Sequence, residues 1–143
     1  MGRRQPDRNV TIAAPSSAEL RTIIQGEEVE SAQLTVQWAQ SLARDLKQVK
    51  AAQIRPFFSN ERQVEIIWPR ETDGTPEARA AMRDLILLKP KLAYQVERKN
   101  ELEALANVLT SSIDLVEGNR ANFQRFVDFF EAIVASHKAE GGN

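Results

Sequence analysis

Apolar residues recur at the spacing of an α-helix along most of the chain. The clearest case lies between residues 27 and 50, where Leu34, Trp38, Leu42 and Leu46 follow one another at intervals of four residues, with neither proline nor glycine between them. Positions three or four residues apart share one face of a helix. The pattern therefore predicts a long amphipathic helix over 27–50.

Further segments show the same periodicity, with residues typical of helix boundaries near their ends. Thr75 before Pro76 is typical of an N-cap followed by proline at the first helical position. Pro56, about one turn from the start of its segment, is expected to mark the beginning of that helix. Pro90 is expected to kink or break a helix, because its ring clashes with the carbonyl four residues before it. The predicted segments are 16–26, 53–68, 75–99, 102–116 and 119–138.

No segment alternates between polar and apolar residues in the manner of a β-strand. We therefore predict an all-α fold, a compact bundle of about five helices. The last predicted helix contains four of the six phenylalanines and is expected at the centre of the core. The 143 residues match one domain. We expect a flexible N-terminal arm over 1–15, the helical bundle over 16–138 and a flexible tail over 139–143.

Positive and negative residues nearly balance in this chain. The 19 lysines and arginines face 20 acidic residues, which gives a formal net charge of -1. A globally basic nucleic-acid-binding protein is excluded, and any contact with nucleic acid must come from a local patch of modest affinity. No apolar run approaches the roughly 18 residues that span a bilayer, and no apolar leader segment follows the basic N-terminus. We expect a soluble, cytoplasmic protein without a membrane partner.

Residues that carry catalysis are scarce. Cysteine is absent, which excludes disulfides, thiolate metal sites and cysteine nucleophiles. Asp128 and Glu131 lie three residues apart, but this spacing is more typical of a solvated helix face than of paired catalytic carboxylates. The single histidine, His137, is expected to pack or to bond to carbonyls at the end of the last helix. We predict a protein that is not an enzyme and holds no metal or cofactor.

The segment 85–99 has two different faces when projected on a helix. Lys91, Tyr94 and Arg98 share one side, opposite a side of leucine and valine. Two cations beside an aromatic ring suit phosphates and an exposed base, although periodicity alone favours an ordinary solvated face. Tyr94 can stack on a base or pack beside the proline. Lys89 projects near the apolar side, so either Pro90 turns it outward or its stem lies along the apolar surface.

Three blocks of the sequence resemble a known family. They are QIRPFF at 53–58, LLKPKLAYQVER at 87–98 and NFQRFVDFFEAIVASHK at 122–138. In this order and spacing they resemble the small helical subunit of type III-A CRISPR-Cas effector complexes, the Csm complexes. The resemblance implies an all-helical protein of antiviral defence, without catalytic activity, whose copies stack beside a repeated backbone subunit and help to hold the CRISPR RNA (crRNA) and the target RNA.

The resemblance also implies which residues contact RNA and which partners the protein has. The partners are the crRNA and target RNA, the backbone subunit and other Csm subunits, and further copies of the same chain. An exposed apolar helix face also makes a homodimer a candidate state of the isolated protein. The alternative is a structural helical adaptor that binds protein partners without RNA contact. With Tyr94 from the projected face, the predicted RNA contacts are Arg55, Lys89, Lys91, Tyr94, Arg98, Arg125 and Lys138.

Overall fold

The computed structural model of the protein describes residues 14–70 and 72–141, and these residues form helices without any β-strand. The all-α class is confirmed. A short 3-10 turn, Asn100–Leu102, connects the fifth and sixth α-helices. Residues 1–13 of the arm predicted over 1–15, and the last two residues of the tail, lie outside the described residues. In chain order the α-helices are α1 (Ser17–Gln25), α2 (Glu28–Asp45), α3 (Ala51–Ile67), α4 (Pro76–Ile86), α5 (Leu88–Arg98), α6 (Glu103–Val116) and α7 (Arg120–Ala139).

Side chains that cap the helices fix where several of them begin. The Ser16 amide donates to Glu19 Oε1 at 2.9 Å, and the Glu19 amide donates to Ser16 Oγ at 3.1 Å. Thr75 Oγ1 accepts from the amide of Ala78 at 3.0 Å, with proline at the first position of α4. Each such cap contributes about 1 kcal/mol by giving a partner to an amide that the helix itself leaves unpaired. The starts predicted for α1 and α4 are therefore confirmed.

Two boundaries differ from the prediction. α2 ends at Asp45 instead of continuing to residue 50, although Leu46 and Val49 in the connection remain buried. α3 begins at Ala51, so the prediction that Pro56 marks the start of this helix is wrong and the proline lies inside it. An internal proline leaves one backbone carbonyl without its amide partner, and sequence spacing alone does not show how far the helix extends before it.

The segment 75–99 divides into two helices at Leu87. The described residues therefore form seven α-helices, where a bundle of about five was expected. α4 ends at Ile86, and the amide of Leu87 still donates to the carbonyl of Arg83 at 3.0 Å. Pro90 then lies in the first turn of α5, where a missing amide costs little. The interruption predicted from Pro90 is confirmed, and it lies three residues before the proline.

α7 lies at the centre of the core. Its most extensive contact is with α2, and it also packs against α1, α3 and α6. All four of its phenylalanines are buried. Phe123 stacks on Trp68 with 4.9 Å between ring centroids, and Phe130 meets Phe58 edge-on at 5.8 Å. The predicted position of the last helix is confirmed, because its aromatic face joins the elements that precede it.

Buried polar groups connect the helices to the loops between them. Nε2 of His137 lies 2.7 Å from the carbonyl oxygen of Val49 and 3.1 Å from that of Leu46. Nε of Arg120 donates to the carbonyl of Trp68 at 3.1 Å, and burial lowers the pKa of this guanidinium. These bonds give a partner to the carbonyl of Val49, in the connection after α2, and to that of Trp68, at the end of α3. The carbonyl of Leu46 accepts from the imidazole and also from the amide of Val49 at 2.8 Å. Among the described residues, no helix is both long enough and apolar enough to cross a membrane.

Candidate nucleic-acid interface

Lys91, Tyr94 and Arg98 form an exposed cationic surface on α5, which we call the α5 surface. The side chain of Tyr94 is 60% exposed, and Cζ of Arg98 lies 5.9 Å from the centre of the tyrosine ring. On the other side of the same helix, Leu88 and Leu92 are buried in the core. The two faces predicted for this segment are therefore present, and packing of the leucines fixes which way the cations point.

The α5 surface continues into a cleft of about 300 Å³ between α3 and α5. Two aromatic rings and two proline rings offer apolar surfaces, while two amides and a lysine supply polar groups. Such a combination can stack a base and contact its phosphate. We call it the α3–α5 cleft, and its lining residues are Pro56, Phe57, Asn60, Pro90, Lys91, Tyr94 and Gln95.

Arg55 and Lys138 lie at a second cleft, on the other side of the first half of α3. This cleft has a volume of about 310 Å³ and separates the beginning of α3 from the end of α7. Both cations are exposed. We call it the α3–α7 cleft, and it is lined by Ala51, Ile54, Arg55, Phe58, Val134, His137 and Lys138. The structure therefore divides the predicted exposed contacts into two separate groups.

Lys89 and Arg125, the two remaining predicted contacts, have partners within the protein. Lys89 Nζ pairs with the carboxylate of Asp114 on α6, which connects α5 to that helix. The guanidinium of Arg125 donates to the carbonyl of Gly26 at 3.0 Å and so caps the end of α1. The sequence predicted that Lys89 either turns outward at Pro90 or lies along the apolar surface. Neither description is sufficient, because the ion pair with Asp114 determines the direction of the side chain.

The sequence did not reveal the two amides of the α3–α5 cleft. Asn60 and Gln95 lie on different helices, and their proximity depends on how α3 packs against α5. A half-buried amide at one helix position carries no periodic signal of its own. The pattern of prolines and leucines identified α5 as a surface element. The contribution of α3 to this cleft became visible only in the three-dimensional structure.

Glu61 is a buried carboxyl on the inner side of α3. Its side chain is fully buried, and burial raises its pKa to about 8, with Glu65 and Glu131 adding like-charge repulsion. Its carboxyl oxygens make no hydrogen bond to the described part of the chain. Within residues 14–70 and 72–141, no group of three or more histidine or acidic side chains is placed to hold a metal ion.

The fold and the surface together define a small all-helical protein in which one exposed helix face, on α5, combines two cations with an aromatic ring. A family model described as Csm2 Type III-A matches residues 29–143, a range that contains all seven predicted contacts. The chain belongs to this family. Its members are the small subunits of type III-A CRISPR Csm complexes. No curated protein and no solved structure matches the chain.

Proposed function

We propose that this protein helps to hold the crRNA and the target RNA in the type III-A effector complex without itself catalysing a reaction. Membership of the Csm2 family places the chain in that complex. The observation that carries the RNA contact is the α5 surface, where Lys91 and Arg98 flank the exposed ring of Tyr94. Cations and an aromatic ring arranged in this way bind phosphates without reading sequence.

The charge of the chain determines how strong this contact is in a single copy. With a net charge of -1, one subunit neutralises few phosphates and binds free RNA weakly. Several copies that stack along the repeated backbone subunit multiply these contacts, because binding of the first copy raises the effective concentration of the RNA at the next. The proposal therefore includes contacts with the backbone subunit and with neighbouring copies, in the cytoplasm.

A binding role also agrees with the environment of the single histidine. His137 is 1% exposed, and its Nε2 is engaged by two backbone carbonyls. Because a carbonyl oxygen only accepts, Nε2 must carry a proton and is committed to these bonds. Hydrogen bonds within the protein therefore engage this nitrogen, which supports a structural role for the histidine rather than a role in proton transfer.

The test is a double substitution on α5 in the reconstituted complex. Lys91→Ala combined with Arg98→Ala is expected to weaken target-RNA binding by about tenfold or more, since each copy loses two phosphate contacts. The dependence of affinity on salt should become shallower by about one unit of slope for each lost contact. The matched control is Arg44→Ala with Lys47→Ala, which removes two exposed cations at the end of α2, away from the clefts beside α3, α4 and α5.

Wild-type RNA binding and an unchanged salt slope in the α5 double variant would contradict the proposal, provided that the variant enters the complex in normal amounts. Equal losses in the α5 variant and the control at the end of α2 would show only a general effect of charge. The proposal requires a loss that is specific to α5.

A second candidate function, the adaptor without RNA contact, is favoured by one observation. A cleft of about 600 Å³ beside α4 is lined by Met82, Ile86 and Leu87, and the last two are 46% and 43% exposed. Exposed apolar side chains of this kind are typical of protein contacts. Crosslinking of α5 to RNA that weakens as salt rises distinguishes the two functions, because an adaptor yields no RNA adduct.

A further inference from the structure

The α3–α7 cleft combines an apolar floor with cations at its rim. Ile54 is 3% exposed, and Phe58 lies edge-on against Phe130, so the floor is fixed by the core. Arg55 and Lys138 are exposed at the rim, and no carboxylate in the described ranges forms an ion pair with either cation. The cleft therefore presents positive charge that the protein does not neutralise there.

His137 borders the cleft from just beneath its surface, with 1% of the residue exposed. Its Nε2 donates towards the carbonyls of Val49 and Leu46, at 2.7 Å and 3.1 Å. These two bonds hold the imidazole in one orientation beside Val134. A pre-organised wall costs a ligand less on binding than a side chain that must first be ordered.

We propose that the α3–α7 cleft binds a single nucleotide of RNA, with its unstacked base between α3 and α7 and its phosphate between Arg55 and Lys138. The volume of about 310 Å³ falls in the range of small-ligand sites. The apolar floor suits the face of a base, and the rim cations suit a phosphate. This inference rests on the proposed function, because the nucleotide belongs to RNA held in the complex, but it uses a surface separate from α5.

The single histidine allows a direct test on the full chain. Since His137 is the only histidine, its imidazole signals in a ¹H–¹⁵N NMR spectrum are unambiguous. The probes are the four nucleoside 5′-monophosphates, the matching nucleosides and inorganic phosphate. We expect the monophosphates to shift the imidazole signals to saturation. The nucleosides should bind about tenfold more weakly, because they lack the charged contact, and inorganic phosphate should leave the imidazole unchanged.

Substitutions distinguish the contribution of the rim cations to binding from that of the apolar floor. Arg55→Ala and Lys138→Ala should each weaken monophosphate binding about tenfold, since each removes a charge-assisted hydrogen bond. Ala51→Leu keeps both cations but fills part of the cleft, and it should abolish the imidazole shift. Arg79→Ala, which removes an exposed cation of α4, is the matched control and should bind as the wild type does.

Inorganic phosphate that reproduces the imidazole shift would overturn the proposal, because no base would then be needed. An equal response to acetate, lost in Arg55→Ala, would overturn it in favour of a protein carboxylate. If monophosphates fail here while the α5 double variant loses RNA binding, the nucleotide cleft is wrong and the proposed function stands. If monophosphates bind here while the α5 variant retains RNA binding, the cleft stands and the α5 contact is wrong.

Discussion

The imidazole of His137 donates to the carbonyl of Val49 across 2.7 Å and thereby joins the last turn of α7 to the segment that follows α2. The carbonyl of Leu46, at the end of α2, lies 3.1 Å from the same nitrogen. The sequence predicted that this histidine packs or bonds to carbonyls at a helix end. It does both, but the carbonyls belong to the chain after α2 and not to its own helix.

Replacing His137 by alanine is expected to lower the free energy of unfolding by about 2–4 kcal/mol. The substitution removes the imidazole donor from the carbonyl of Val49, takes one of two donors from the carbonyl of Leu46, and opens a cavity in a site that is 1% exposed. Urea unfolding followed by circular dichroism measures the loss. His137→Gln keeps an N–H donor and should recover part of it. A loss below about 0.5 kcal/mol in the alanine variant would show that these bonds contribute little to stability.

The stability of the protein should fall as pH rises, because of Glu61. Burial raises its pKa from 4.5 to about 8 in the folded state. An acid whose folded pKa lies above its unfolded pKa favours folding most when it is protonated in both states, below pH 4.5. The folded state then loses stability between pH 4.5 and about 8, by about 3 kcal/mol at pH 7.

The substitution Glu61→Gln removes this titration while it keeps the shape of the side chain. Urea unfolding between pH 5 and pH 8 should show a markedly flatter profile than the wild type, with a more stable variant at pH 8. Glu101→Gln, at an exposed site, is the control and should keep the wild-type slope. Parallel profiles for the wild type and Glu61→Gln would mean that Glu61 is not the group responsible.

The position of Arg125 predicts a loss of stability on substitution. Its guanidinium caps the carbonyl of Gly26 at 3.0 Å, and the side chain is 23% exposed. Arg125→Ala should lower the free energy of unfolding by about 1–3 kcal/mol, because a charged donor to a backbone carbonyl is lost. The α5 substitution Lys91→Ala provides the comparison, since it lies on the surface and should change stability by less than about 0.5 kcal/mol. Equal effects of the two substitutions in urea unfolding would contradict the capping role.

Strain at the end of α6 gives a stabilising prediction. Glu117 has a left-handed backbone with φ of 54°, which costs a residue that carries a side chain more than it costs glycine. Glu117→Gly should therefore raise the free energy of unfolding by roughly 0.5–1 kcal/mol, or the melting temperature by a few degrees. Glu103→Gly, in the first turn of the same helix, should have the opposite effect. Destabilisation by Glu117→Gly would show that the glutamate side chain compensates for its backbone.

Local chemistry made the helices predictable, whereas the partners of several cations depended on distant parts of the chain. The cap at Thr75 and the interruption before Pro90 depend on neighbours within one or two turns, so the sequence revealed them. Gly26, the partner of Arg125, is 99 residues away in sequence, and Asp114, the partner of Lys89, is 25 residues away. Neither contact follows from helical spacing, which is why internal and exposed cations looked alike before the fold was known.

The first half of α3 has a consequence for any change in its length. Neighbouring residues Arg55 and Pro56 line different clefts, on the two sides of the helix. One residue inserted or deleted before them would rotate the rest of the helix by about 100° relative to its start. Both clefts would therefore lose their lining together, so a change of length in the first half of α3 should disturb this surface more than a single substitution there.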